Sequence, residues 1–263
     1  MSGKNNITSY VDALQGKGIY TFTSVTLPKD FSPGAKKGAL HRLSYKHRLL
    51  MPRRGFFVII PLEYREKGVV PASWYIDELM KFEESHYYVG LLSAASIYGA
   101  SHQQSQEFQV ISDKQLRAIN VRNTNIKFYT NSNMPTALIR KIKTYTGYMN
   151  VSTPALTALD LVKFYYAVGY LNNVATVLAE LAEEIERDDL LAALDHEYSI
   201  TTSQRLGYLL ELNEHINLSN IVYTWLQDKR YKLVPLLPNK QATEGHVNER
   251  WKLYVNETIE VDI

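Results

Sequence analysis

Apolar positions along the chain switch between helical and alternating spacing, and the switches mark out the elements. Ile7, Tyr10, Val11 and Leu14 share one side of a helix predicted over residues 7–16, which Gly16 and Gly18 can end. The next stretch, IYTFTSVTL over residues 19–27, is ambiguous. Its β-branched residues favour a strand, but Thr23 to Leu27 could form a short second helix, with Pro28 to Phe31 as the turn after it. Ser32 can then cap a helix, and Pro33 suits the first helical position, where no backbone N–H is needed. At about 100° per residue, Ala39, Leu40, Leu43 and His47 fall on one face of that helix. The opposite face carries Lys37, Gly38, His41, Tyr45 and Arg48, with Arg42 at its edge. Leu49 to Met51 and Phe56 to Ile60 read as short strands around a Pro52-Arg53-Arg54-Gly55 turn. Residues 61–71, with a proline at each end, read as a linker.

Beyond the linker, Ser73 can cap a helix through Phe82, and a second helix, rich in small residues, is predicted from Tyr87 to Tyr98. Glu107 to Ser112 alternates as a strand does. Ile119–Val121 and Ile126–Tyr129 read as a hairpin around Asn123-Thr124-Asn125, and Leu138–Thr144 and Tyr148–Ser152 as two more strands around Gly147. From Thr153 helices dominate: to about Tyr166, then 173–186, 188–196, 202–213 and 219–227. Tyr231–Leu236 and Arg250–Val255 return to alternation. The whole predicts an α+β protein. An N-terminal winged helix-turn-helix over residues 1–65 precedes a mixed α+β domain over residues 66–263, which has a mainly antiparallel sheet and several helices.

Charge sharpens this division. The 263 residues carry a net charge of only +2, but residues 1–65 hold eleven Lys/Arg and three Asp/Glu, a net of +8. The remaining 198 residues hold eighteen and twenty-four, a net of −6. Nothing acidic lies between Phe31 and Leu62. One part of the chain is therefore suited to a polyanion and the other is not. A basic helix face is often only a solvated surface. Here the lack of balancing acids, the arginines at a hairpin tip and the preceding helical segment favour double-stranded DNA. Lys37, His41, Tyr45 and Arg48 would face the groove, while Lys36, Arg42, Arg53 and Arg54 would contact phosphates.

Cysteine is absent, which excludes disulfides, thiolate zinc sites and cysteine nucleophiles. No apolar run approaches the roughly 20 residues that span a bilayer, and the first fifteen residues lack the apolar core of a secretory signal. These features predict a cytoplasmic protein. None of the seven histidines forms an i, i+4 pair, and no HExxH, GxxxxGK[ST] or GxSxG occurs. No metal and no cofactor is expected. The acidic run Glu180, Glu183, Glu184, Glu186, Asp188 and Asp189 sits beside a full apolar stripe, so it reads as a solvated face. Asp160, on a predicted helix, is expected to face solvent or to hold a neighbouring turn. A magnesium-dependent nuclease using Asp160 and the 180–189 run is the enzymatic alternative; a protein without catalysis is preferred.

Several stretches resemble the AbiEi family, the antitoxin and transcriptional-regulator component of type IV toxin–antitoxin, or abortive infection, systems. They are YYVGLLSAA from Tyr87 with Gly99-Ala100-Ser101-His102-Gln103, Phe108-Gln109-Val110, and STPALTALDL from Ser152. Asn172-Asn173-Val174-Ala175 with Leu178-Ala179-Glu180-Leu181 follows, then QRLGYLLE from Gln204 and NERWKL from Asn248 with Asn256. Their order and spacing cover about residues 85–256. The chain departs from the family pattern at Thr153–Thr157, before the helix of Asp160, where an arginine or a threonine-rich start is frequent. The resemblance implies an N-terminal winged helix that represses its own operon by binding an upstream inverted repeat, and a C-terminal antitoxin domain at 66–263. It also implies a partner: a nucleotidyltransferase-like toxin, AbiEii, countered without a stable complex. The small-residue helix and Leu206–Leu210 read as core packing, leaving Arg205 and Arg250 as antitoxin-domain candidates.

Overall fold

The computed structural model describes residues 6–100, 107–196, 199–238, 240 and 245–261. The first helix, α1 (Ile7–Gly16), starts where Asn6 Oδ1 accepts the Ser9 N–H at 2.8 Å. The ambiguous stretch after it is both things in turn: a strand β1 (Thr21–Thr23), then a 3₁₀ turn over 24–26. Helix α2 (Pro33–Tyr45) follows, then β2 (Leu49–Arg53) and β3 (Phe56–Ile59). The three strands form one antiparallel sheet in the order β1-β3-β2. The hairpin turn is tighter than predicted. Strand β2 runs through Pro52, tolerated on an edge strand, and pairs Arg53 with Phe56. Only Arg54 and Gly55 make the turn, and Gly55 supplies its left-handed φ of +89°. His47, predicted on the apolar face of α2, lies past its end in a left-handed conformation (φ +53°), and its Nδ1 bonds Arg65 O at 2.9 Å.

Ser32 caps α2 as its sequence position suggests, its hydroxyl accepting the Ala35 N–H at 3.3 Å. Ser32→Ala should therefore cost about 1 kcal/mol, read as a lower urea midpoint. An unchanged midpoint would mean that α2 is held by packing alone.

Both faces of the small sheet are covered. Phe22, Leu49, Phe57 and Ile59 meet Ile7 and Val11 of α1 and Ala39 and Leu43 of α2. On the other face Leu50, Phe56, Val58 and Ile60 join a second cluster shared with the rest of the chain. That cluster includes Ile76, Leu79 and Met80 of helix α3 (Ile76–Phe82) and one face of a six-stranded sheet.

The large sheet is built from β4 (Tyr87–Val89), β5 (Phe108–Ser112), β6 (Ile119–Val121), β7 (Thr124–Thr130), β8 (Ile139–Lys143) and β9 (Tyr148–Ser152). Helix α4 (Leu91–Ile97) separates β4 from β5 in the chain. Tyr87–Val89, predicted to start that helix, is instead a strand in the middle of the sheet, and Gly90 separates it from a shorter α4. The order is β6-β7-β5-β4-β9-β8. The pairs β6/β7, β5/β4 and β9/β8 are antiparallel; β7/β5 and β4/β9 are parallel. Three of the five pairs are antiparallel, so the sheet is mainly antiparallel, as expected, with two parallel joins. Its residues alternate between layers, as a period of two requires: Val89, Val110 and Ile126 face the small sheet, while Tyr88 and Ile111 face the helices.

Those helices are α5 (Pro154–Lys163), α6 (Tyr170–Leu181), α7 (Arg187–Asp195), α8 (Ile200–Leu212) and α9 (Ile216–Gln227). Thr153 caps α5, and residues 154–162 are all buried, so α5 is the axis of this layer. A last sheet of β10 (Val234–Pro235), β11 (His246–Asn248) and β12 (Leu253–Val255), ordered β10-β12-β11, closes it. Among the described residues no helix is long and apolar enough to cross a membrane.

Candidate nucleic-acid interface

Helix α2 is pinned by Ala39 and Leu43, so its far side is left to polar residues. Lys37, His41 and Tyr45 recur every fourth residue there, and all three are exposed, Tyr45 at 82 %. Along the axis they span about 12 Å, close to the width of a DNA major groove. Arg42 is exposed beside them and Lys36 is half-buried. At the hairpin turn Arg54 is exposed.

Two arginines of the predicted set are engaged within the protein. Arg48 pairs with Asp12 of α1, which leaves 16 % of its side chain exposed. Arg53 Nε donates to Glu83 Oε1 at 2.7 Å. Its guanidinium also donates to the carbonyls of Arg117 and Ala118, just before β6, and lies 5.8 Å over the Phe128 ring. Sequence spacing could not reveal these partners, which lie 30 to 65 residues away.

The candidates of the C-terminal half are tied into the fold as well. Arg205 donates from Nε to Leu236 O at 2.9 Å and from Nη2 to Pro235 O at 3.0 Å, fastening α8 to β10. Burial pushes its pKa down, against the pull of Tyr165. Arg250 Nη2 donates to Asn220 Oδ1 at 2.6 Å, and its guanidinium stacks 4.6 Å from the Tyr223 ring and 5.3 Å from that of Trp251.

The carboxylates of the enzymatic alternative are not gathered. Asp160, expected to face solvent or to hold a neighbouring turn, is buried, and the Tyr88 hydroxyl donates to its Oδ2 at 2.9 Å. Glu183, Glu184, Glu186 and Asp188 are exposed, and Asp189 pairs with Arg140 at 2.5 Å. Among the described residues no three His, Asp or Glu side chains stand close enough together to hold a metal. Ser85, His86 and Asp113 do meet, a trio the sequence did not suggest. Ser85 Oγ donates to Asp113 Oδ1 at 2.6 Å, and His86 Nδ1 lies 2.8 Å from Oδ2. Both side chains bond the carboxylate and not each other, so the trio lacks a nucleophile–base pair. Burial alone would raise the Asp113 pKa, but these bonds outweigh it and hold the carboxyl below its ordinary range.

Two of the stretches that resemble the family, Gln204–Glu211 and the one from Asn248 to Asn256, meet at one joint. Gly207 of α8 faces the indole of Trp251, and a Cβ there would stand 2.1 Å from Trp251 Cζ3. The Trp251 indole N–H donates to Glu211, and the buried Gln204 amide donates to Trp251 O at 2.8 Å and to Lys232 O and Lys252 O at 3.2 Å. The Asn256 amide accepts the Leu237 N–H at 3.0 Å and donates to Leu237 O at 2.9 Å. These residues hold α8 against the last sheet. Ser101-His102-Gln103 lies outside the described residues.

The chain is thus an α+β protein in which a basic helix-and-hairpin unit is docked on a larger mixed sheet backed by helices. Residues 88–212 match the family model of the AbiEi antitoxin C-terminal domain. That span is what the chain shares with AbiEi antitoxins. The chain is similar in fold to the RV2827C protein from Mycobacterium tuberculosis, known from a crystal structure. The TM-score is 0.64 over 94 % of this chain and 90 % of that one, at 13 % identity. No curated protein matches.

Proposed function

We propose that this protein is a DNA-binding transcriptional repressor and antitoxin of a type IV toxin–antitoxin system. It autoregulates its operon and counters a nucleotidyltransferase-like AbiEii toxin without forming a stable complex, in the setting of abortive infection and phage defence. It works in the cytoplasm, without catalysis of its own and without a cofactor. Residues 1–65 form the recognition unit and residues 66–263 the antitoxin unit.

One observation carries the DNA-binding part of this reading. A winged helix has a helix that follows its first strand and precedes a hairpin, with the first strand added to the hairpin's second. The order α1-β1-α2-β2-β3, with the sheet order β1-β3-β2, supports this reading. The free face of α2 carries Lys37, His41 and Tyr45 without acidic neighbours in the sequence. On this reading those three read base edges, Lys36, Arg42 and Arg54 contact phosphates, and Arg48 and Arg53 fix the helix and the hairpin from inside. Arg205 and Arg250 act on the antitoxin side by holding the last sheet in place.

The test is a gel-shift titration against DNA from upstream of the protein's own gene, at two salt concentrations. The Lys37→Ala/His41→Ala protein should bind that DNA about 10- to 100-fold more weakly. Arg54→Ala should weaken all sequences alike and flatten the salt slope by about one unit. Wild-type protein that binds the upstream DNA no better than random duplex would overturn the repressor reading.

A further inference from the structure

We propose that Arg122, which lies outside the N-terminal 65 residues, is a positioning residue for DNA recognition by α2; this rests on the repressor reading above. Arg122 sits at the turn between β6 and β7, in a left-handed conformation (φ +51°). Its Nη2 donates to Ser44 O at 2.7 Å, and its Nη1 donates to Gly68 O. Ser44 is in the last turn of α2, and its carbonyl also accepts the His47 N–H at 3.1 Å, so Arg122 adds a side-chain donor to the helix end. One planar guanidinium thus joins the end of the recognition helix to the segment leaving the N-terminal unit. Gly68 makes room for it: a Cβ there would stand 3.0 Å from both Arg122 Nη1 and His47 Nδ1.

The same short strand anchors the hairpin. Arg117 O and Ala118 O, immediately before β6, accept from Arg53. Ile119 within β6 is buried in the cluster that holds Leu50, Phe56 and Val58 of the small sheet. Residues 117–122 therefore grip the recognition unit at two places, the hairpin at one end and the last turn of α2 at the other. The angle between helix and hairpin is set from the large sheet. Base readout needs that angle, because side chains must meet particular base edges; phosphate contacts tolerate small rotations.

The experiment compares full-length wild type, Arg122→Ala and Arg122→Lys, each titrated against the upstream DNA and against random duplex at one salt concentration. Arg122→Ala should bind the upstream DNA about 5- to 20-fold more weakly, at the low end of coupling between sites, with random-duplex affinity and salt slope unchanged. Arg122→Lys should fall between, since an ammonium lacks the fork that serves two carbonyls. Amide hydrogen exchange in the last turn of α2 should quicken in both variants. Equal losses on both DNAs would mark a merely destabilised protein and overturn the proposal, as would no loss at all. If wild type itself shows no preference for the upstream DNA, the repressor reading fails, and unchanged exchange in α2 would then separately overturn the clamp.

Discussion

Replacing Trp251 with alanine should lower stability by about 3–5 kcal/mol, the largest effect expected of any substitution considered. The side chain is fully buried, lies edge-to-face with Tyr223 at 5.7 Å, and fills the hollow that Gly207 leaves on α8. Gly207→Ala attacks the same joint from the other side. Its methyl would overlap the indole, so it should cost about 1–3 kcal/mol or more. In the Trp251→Ala background the indole is gone, and the same change should become neutral or stabilise by up to about 1 kcal/mol, the ordinary advantage of alanine over glycine within a helix. Urea melts of the four proteins check this, and the reversal of sign is the decisive part. If Gly207→Ala costs the same in both backgrounds, the contact with Trp251 is not what selects glycine.

Tyr88→Phe should cost about 1.5–3 kcal/mol, because it withdraws a hydrogen bond from a buried carboxylate. Asp160 lies on the axial helix α5 and Tyr88 on the central strand β4, so this bond joins the sheet to its helical layer. Asp160→Asn keeps an oxygen that can accept from Tyr88 and should cost less. The ranking of the two in thermal or urea melts is the test. A larger loss for Asp160→Asn would show that the charge of Asp160 matters more than its bond to Tyr88. The result also guards against misreading any activity assay on Asp160 variants, since a loss of fold would mimic a loss of catalysis.

Much of the architecture was legible because its signals are local. Ser32-Pro33 and Thr153-Pro154 announce α2 and α5, and both caps form. The alternation around Gly147 marks the β8–β9 hairpin, where Tyr148 pairs with Lys143. What escaped is non-local. Tyr87–Val89 is too short for its period to be read, and its strand character comes from neighbours on both sides in the sheet. The parallel pairs β7/β5 and β4/β9 join segments that no turn connects. The continuous apolar run Phe56–Ile60 reads as a strand and forms one, and its lack of polar alternation also marks burial on both faces. At the candidate interface the exposed α2 face was legible from its periodicity. The inward roles of Arg48, Arg53, Arg205 and Arg250 were not, because a guanidinium's partner is chosen by the fold and not by sequence spacing.

The small sheet, covered on both faces, has a consequence for how such proteins can be taken apart or recombined. A fragment ending near residue 65 would bare Leu50, Phe56, Val58 and Ile60 together, a hydrophobic face that favours self-association. The N-terminal helix-and-hairpin unit is therefore not a freely exchangeable module. A chimera that grafts it onto another C-terminal part must carry over the facing residues of α3, β5, β6 and β7 with it, so change in the smaller unit is constrained by the larger one.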